Sequence, residues 1–584
     1  MRWWLLSCLF VCDAVPATED SSIVDGLAHQ QEASGHLLHL DSDDKKMLPV
    51  SHLKDDTLKT DFDAPDAPEL DSFTSGAKEQ LISTGLLVLV AVIMLSWFVG
   101  MCCRHLRLQF VTIPFIATLC GLLIGIGLKV SSSNKGPEDK TLLQRILALN
   151  EDVFFMTILP PIIFDSGFSL KGQKAKEFFD NFGTVLWFAL LSTFLSFLVV
   201  GAMMYCAGVV HLLGGAWSVR EAFAFGALIS ATDPVSVISL FKNNPVLPLL
   251  ETLVSGESLM NDALSIVLYR TIAYTEEGAT FLGLVVRFVT VVASSVLIGV
   301  VVGLTSTALA RYTVYARDER ASLEFSLLLL FPWISYLLSD GLGNSGIVSI
   351  LFCAVVMAQY TVPLLSSTVQ ESASAVSASA SLFAESAAFV FLGLGEFSLR
   401  QSMLSVRLVV STIVVVSFAR VVSVWVTTLL VNRLVREHNP ITSEVQSALI
   451  ISGLRGSCAF ALAMHARHDF GGSGGSAIVS ATLVYSIFTI MIVGPASYPC
   501  FHALRVFISP EDRQNLSQDS HVADVQLSGR LKLALMKVDD ILRVWLLPAE
   551  DTIEPEHHCQ SESAIGAARG SLLPVYGDVT IELR

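Results

Sequence analysis

Between residues 81 and 501 the chain passes through about thirteen apolar stretches, each near the ~20 residues that a helix needs to cross a bilayer. They lie near 81–102, 109–130, 150–168, 183–210, 220–241, 247–273, 281–310, 321–339, 344–365, 378–398, 406–432, 443–466 and 475–501. In hydrocarbon an unpaired peptide group is too costly to tolerate, so such stretches must satisfy their own backbones as helices. Charge content agrees: 15% of residues are charged, against about 25% in a soluble domain. The expected fold is an all-α polytopic membrane protein.

The flanks read differently. Residues 1–17, beginning Met1-Arg2-Trp3-Trp4 and closing on Ala14-Val15-Pro16-Ala17, have the basic start, short apolar run and small-residue end of a signal peptide. A retained interfacial anchor is the alternative. Residues 18–78 form an acidic segment, with fourteen Asp or Glu against four Lys between Ala17 and Gly76. That segment buries too little apolar surface to fold alone, so disorder outside the cytosol is expected. Residues 79–505 are the transmembrane domain, and 506–584 are a short tail. Within the tail, Leu531, Leu535, Val538, Leu542 and Trp545 recur at helical spacing among Arg530, Lys532, Lys537 and Arg543. This marks an amphipathic helix near 530–547 that could lie on a leaflet, dock in a partner's groove or pack on the domain.

With the N-terminus outside, eleven Lys or Arg fall in cytosolic loops and seven in the opposite ones, which agrees with the positive-inside bias. The net charge of −16 carries no basic patch, so nucleic acid is not expected as a partner. The ten cysteines show no ligand or disulfide spacing. Cys102 and Cys103, beside Arg104, are either palmitoylation sites or inert packing.

Ionisable residues at membrane depth are costly and point to function. Here they are Asp165, Asp233, Glu257, Asp262, Glu385, Arg420 and Arg455. In Ser230-Ala231-Thr232-Asp233-Pro234, Pro234 lacks an N–H and clashes with the Ser230 carbonyl. The fifth span should therefore break, freeing carbonyls around Ser230 to Thr232 as hard oxygen ligands for an alkali cation; a simple Pro kink is the plainer reading. The sixth span holds Glu257 and Asp262, five apart on flanking faces. A lone carboxylate in a partly wet, low-dielectric site holds a proton or a cation near neutral pH, but not both. Asp262 is assigned that role, with neutral Asn261 beside it. One charge favours trading one monovalent cation for one proton.

In the twelfth span, Gly453 and Gly456 flank Arg455 and suggest a second interrupted helix. A buried Arg needs a carboxylate. Glu257 is the expected partner in a structural ion pair, and Asp233 the next choice. Spans five and twelve run oppositely, so two broken helices fall at matching places of an inverted repeat. In the third span Pro160-Pro161 should break another helix, with Phe155 and Leu159 lining a vestibule or packing on neighbours.

Together these strings resemble the sodium/proton exchangers of the monovalent cation/proton antiporter superfamily, in particular the organellar branch. The resemblance rests on Leu159-Pro160-Pro161-Ile162-Ile163 with Asp165, Ser230 through Val235, Gly256-Glu257-Ser258-Leu259 with Asn261-Asp262-Ala263, and Gly453-Leu454-Arg455-Gly456 with Ala459-Phe460-Ala461-Leu462. Ala384-Glu385 before Phe389 and Ala419-Arg420-Val421 match as well. It implies a core domain with two crossed discontinuous helices beside a dimerisation domain. It also implies a homodimer exchanging Na⁺ or K⁺ for H⁺ electroneutrally by elevator-like alternating access, thereby regulating pH and cation content. It places the ion at Asp262 with Asn261, Thr232 and Asp233 at the crossing, and leaves Asp165, Glu385 and Arg420 as secondary charges. The region of Phe155, Leu159, Pro160 and Pro161 resembles where amiloride-type inhibitors act. A calcineurin-B-like calcium protein on the tail is the implied partner besides membrane lipids, an endosomal or Golgi membrane the implied residence, with the plasma membrane as alternative. No cofactor is expected.

Three other readings compete. One is a K⁺-preferring organellar exchanger, because Na⁺ and K⁺ use the same oxygen ligands. A cation channel would need a filter string, and a lone buried carboxylate suits binding better than flow. An intramembrane enzyme fails on motif: Gly256-Glu257-Ser258-Leu259-Met260 departs from the G-x-S-x-G elbow at its last position.

Overall fold

The computed structural model describes residues 75–106, 108, 110–133, 154–210, 217–274, 280–313, 320–398, 405–436 and 439–508. The expected signal peptide, nearly all of the acidic segment and the tail helix near 530–547 lie outside the described residues. From Thr84 onward the helices belong to one compact unit; of the preceding unit, only residues 75–83 at the start of the first helix are described.

The described chain is helical throughout, apart from a single antiparallel bridge between Val246 and Phe507. In order, the helices are α1 (Ser75–His105), α2 (Ile113–Ser133), α3 (Leu159–Phe168), α4 (Gly172–Asp180), α5 (Phe182–Trp187) and α6 (Thr193–Val209). Next come α7 (Val219–Ile229), α8 (Val235–Asn243), α9 (Pro248–Ala273), α10 (Phe281–Thr313), α11 (Arg320–Gly341) and α12 (Gly346–Val356). The last six are α13 (Ser367–Ser398), α14 (Val406–Leu434), α15 (Ser443–Ile451), α16 (Ser457–Phe470), α17 (Gly472–Phe488) and α18 (Gly494–Ala503).

Among the described residues, eight helices are long and apolar enough to cross a membrane, and two shorter apolar ones cover Ile113–Gly127 and Met156–Phe168. That is fewer than the thirteen expected from hydropathy. The reason is local. Two of the expected spans are broken into short pieces, and α9 carries Glu251, Glu257, Asp262 and Arg270 along its length. Polar function is paid for in hydropathy at the positions that matter most.

Helix α14 shows why lipid must be the solvent. Val410, Val414, Phe418, Val421 and Trp425 recur every three or four residues and are all exposed. Thr412, Arg420, Ser423, Thr427 and Thr428 face inward and are buried. In water an apolar outer stripe of this kind would be a binding or aggregation surface. In hydrocarbon it is the solvated face, and the polar side chains turn inside, away from lipid.

Two groups of helices pack against each other. In the first, α7 lies on α6 and α9, α6 on α14, and α16 on α17. In the second, α10, α11 and α12 pack mutually, and α3 joins α12 to α13, which lies along α2. The α2–α13 contact is close because of glycine: a Cβ on Gly121 would strike the Val390 carbonyl, and one on Gly393 the Thr118 carbonyl. Small residues let membrane helices approach this way without a hydrophobic driving force.

Pro160 and Pro161 do not break their helix. A π-helical turn, Phe154–Ile158, runs directly into α3, and the prolines occupy its first turn, where a missing N–H costs nothing. Leu159, Pro160 and Pro161 are buried, Leu159 within the main core cluster. These residues pack as core; the Phe155 side chain lies outside the description.

Candidate functional site

Both expected interruptions are present, in the first helix group. Helix α7 begins with a capping box, in which Ser218 Oγ accepts from Glu221 N at 3.2 Å and Ser218 N donates to Glu221 Oε2 at 2.7 Å. It stops at Ile229, residues 230–234 are unwound, and α8 starts after Pro234. Its counterpart, α15, stops at Ile451, and α16 starts after Gly456. The two unwound segments touch, with Asp233 N donating to Leu454 O at 2.9 Å. That bond is the crossing point.

Glycine makes the crossing possible by its lack of a side chain. A Cβ built on Gly456 would collide with the Asp233 carboxylate, and one on Gly453 with the Arg420 guanidinium. Both were expected as helix breakers; what the structure adds is close approach.

Asp233 works as a cap. Its Oδ1 accepts from Val235 N at 2.9 Å, at the start of α8, and the Ser457 N–H at the start of α16 also points to its carboxylate. Two helix N-termini thus aim their positive ends at one acid. Its Oδ2 is buried without a hydrogen-bond partner among the described residues. Thr232 is fixed from α9: Asn261 Nδ2 donates to Thr232 Oγ1 at 2.5 Å, Thr232 N donates to Asn261 Oδ1 at 3.4 Å, and Ser258 Oγ lies 3.0 Å from Thr232 Oγ1. Asn261 therefore clamps the unwound strand against α9. Next to it, Asp262 also presents a buried oxygen, Oδ1, with no partner, while the residue as a whole keeps some solvent access, as does Asp233. Asp262 lies within electrostatic reach of Asp233 and Arg455.

The expected pairing of Glu257 with Arg455 is wrong. Glu257, 2% exposed, is gripped by Arg420, 6% exposed, through Nη1 to Oε1 and through Nη2 to Oε2 at 3.1 Å. Arg420 Nη2 also donates to Leu449 O at 2.7 Å, one of the orphan carbonyls at the end of α15. The pair thus ties α9, α14 and α15 into one block. Sequence ranked Arg420 only as a secondary charge. The signal available was five acids and two arginines at membrane depth, and nothing in their spacing assigns partners.

Arg455, 1% exposed, does something else. Its Nη1 donates to Ser230 O and Ala231 O, both at 2.9 Å. These are the carbonyls expected to be free for a cation. An arginine from the second broken helix donates to both of them instead. Arg455 N in turn donates to Thr489 Oγ1 at 3.2 Å, where a π-helical turn, Thr489–Val493, begins.

Asp165 and Glu385 stand apart from this cluster, on α3 and α13 of the second group. Ser377 Oγ donates to Asp165 Oδ1 at 2.7 Å, and Ser381 Oγ to Glu385 Oε1 at 3.1 Å. Glu385 is within electrostatic reach of both Asp233 and Asp165. The structure thus gathers Thr232, Asp233, Asn261, Asp262 and Arg455 at one crossing, with Glu257 and Arg420 bracing it and Asp165 and Glu385 across from it.

Comparison with known proteins identifies the family and the fold. The family described as "Sodium/hydrogen exchanger, transmembrane" matches residues 88–500. The sodium/hydrogen exchanger 5 of Arabidopsis thaliana is 36% identical over 433 residues, covering 74% of this chain and 81% of the relative. Sodium/hydrogen exchanger 8 of Homo sapiens is 31% identical over 469 residues, covering 78% and 77%. The solved structure of the sodium proton antiporter MjNhaP1 from Methanocaldococcus jannaschii at pH 8 superposes with a TM-score of 0.56 at 17% identity. It covers 73% of this chain and 99% of that one, and shows the shared fold. The chain belongs to the sodium/hydrogen exchanger family: it is an integral membrane cation/proton antiporter, a transporter rather than an enzyme.

Proposed function

We propose that this antiporter exchanges one Na⁺ or K⁺ for one H⁺ electroneutrally, by alternating access, with the ion held at Asp262. The observation that carries the reading is the pair of buried, unpartnered carboxylate oxygens, Asp262 Oδ1 and Asp233 Oδ2, at the crossing of two broken helices. A buried acid oxygen without a donor calls for a proton or a cation. Asp233 already accepts from helix N-termini, which suits it to a fixed cap. Asp262 has no such donor, so it is the group that alternates between proton and cation. Asn261 positions Thr232 and contributes no charge.

The helix groups suit the mechanism: the first carries both broken helices and Asp262, and moves against the second. The chain works as a homodimer in an endosomal or Golgi membrane, where it sets lumenal pH and cation content. The similarity to plant exchanger 5 and human exchanger 8 supports placing it in that branch. A calcineurin-B-like calcium protein binds the tail. K⁺ as the preferred ion is the alternative, since it uses the same oxygen ligands; the same assay decides it.

The test is flux. In liposomes with an internal pH dye and clamped voltage, imposed Na⁺ and K⁺ gradients should each be compared for proton movement. Electroneutral exchange moves protons at a rate indifferent to voltage. A current that follows voltage would instead indicate a channel, and absence of any coupled flux would overturn the reading.

A further inference from the structure

The C-terminal turn of α9, about 12 Å along the axis from Asp262, is tied to both helix groups at once. Within its own group, Arg220 at the start of α7 donates to Ile272 O at 3.2 Å and to Ala273 O. The Tyr269 hydroxyl donates to Asp469 Oδ2 at 2.7 Å, near the end of α16. Toward the second group, Arg270 Nη1 reaches Asp340 Oδ1 on α11 at 3.0 Å and Asn344 O at 3.1 Å. Asn344 is held in turn, its Oδ1 accepting from Ser294 Oγ on α10 at 2.6 Å. Arg287 on α10 adds a second tie, Nη1 to Tyr274 O at 2.8 Å.

At the opposite end, Lys171 Nζ at the start of α4 lies 3.0 Å from Ser374 Oγ on α13, Ser377 to Asp165 stays inside the second group, and Arg436 Nη2 to Asn181 Oδ1, 3.1 Å, joins the residue between α4 and α5 to a residue beyond α14. The loop charges put the α9 C-terminus on the side away from the cytosol. Side-chain exposures of 28% for Arg270 and 33% for Asp340 leave the pair partly shielded, more than a free surface pair.

We propose that Arg270–Asp340, seated on Asn344, is a latch that shuts the non-cytosolic end of the ion path in this conformation and opens in each exchange cycle. It rests on the alternating-access reading above. The helix carrying Asp262 cannot shift against α11 while Arg270 holds Asp340, and the pair is weak enough to break within a turnover. Locking it should arrest exchange; removing it should shift the balance of states without stopping them.

The experiment uses the full chain in liposomes. Arg270→Cys/Asp340→Cys is joined with a short bifunctional thiol reagent, and joining is verified by mass spectrometry. The expected result is loss of at least nine-tenths of Na⁺-driven proton flux on joining, by roughly the factor expected if only unjoined molecules turn over. Cleavage of a reducible linker restores it, and neither single variant is affected. Joined protein that exchanges at the unjoined rate would overturn the latch, as would failure of the two sites to join at all. A second readout is Asp340→Asn in a chain carrying Thr271→Cys, a buried reporter beside Arg270 that leaves the pair itself intact, for which the rate of labelling from the outside should rise about two- to fivefold; unchanged labelling counts against it. Wild-type liposomes lacking exchange would sink the transport reading instead, which keeps the two failures apart.

Discussion

Glu257 and Asp262 are acids on the same helix, five residues apart, in the same protein interior, and the structure treats them in opposite ways. Glu257 has every oxygen matched to Arg420. Asp262 keeps an oxygen with no partner. Burial alone therefore does not mark a functional carboxylate; the state of its partners does. A buried charge that is fully paired is part of the frame, and removing one half leaves the other stranded. A buried acid left unpaired must be satisfied by something that comes and goes.

Substitutions at five places sharpen that contrast, from the largest effect to the smallest. Asp262→Asn should abolish coupled flux while leaving thermal stability equal or higher, since it removes an uncompensated acid; a melting scan and a flux assay on one preparation check both halves. Glu257→Ala or Arg420→Ala should cost about 3–5 kcal/mol of stability, because each strands a buried charge. Removing both as Glu257→Gln/Arg420→Met should recover much of the loss, and absence of recovery would mean the pair does more than brace. Arg455→Ala, by contrast, should not be rescued by Glu257→Gln, since these two residues are not partners here. Gly456→Ala should cost about 1–3 kcal/mol of overpacking against Asp233 and lower turnover with little effect on apparent cation affinity. Thr232→Val leaves the Asn261 amide and the Ser258 hydroxyl without their partner, for about 1–2 kcal/mol; a raised KM for the cation would show that Thr232 also helps to hold the ion.

How far this was legible in the letters depends on the range of the forces involved. Pro234 dictates its break through contact with the preceding turn, so the gap at residues 230–234 could be read directly. Gly453 and Gly456 announced the second break for a similar reason. The lipid-facing runs follow from composition over twenty residues. What could not be read was pairing across the fold. Whether Arg420 or Arg455 meets Glu257 depends on how α14 and α15 lie beside α9, and no local pattern encodes that. Nor could the sequence show that Arg455 would donate to the carbonyls of Ser230 and Ala231, two of those that the proline break had made available. Pro160-Pro161 failed for a different reason: two prolines read as a break when placed mid-helix, but at the first turn after a π segment they are compatible with a continuous helix.

The central claim is that one carboxylate holds either a proton or a metal ion, never the two together. It is tested most directly by adding Na⁺ or K⁺ to the purified protein in weakly buffered detergent near neutral pH and recording the protons released. The wild-type chain should release up to one proton per ion bound, with release falling as the starting pH rises and the site is already deprotonated, and Asp262→Asn should release none. Ion binding without proton release, or equal release from the Asp262→Asn protein, would contradict the account.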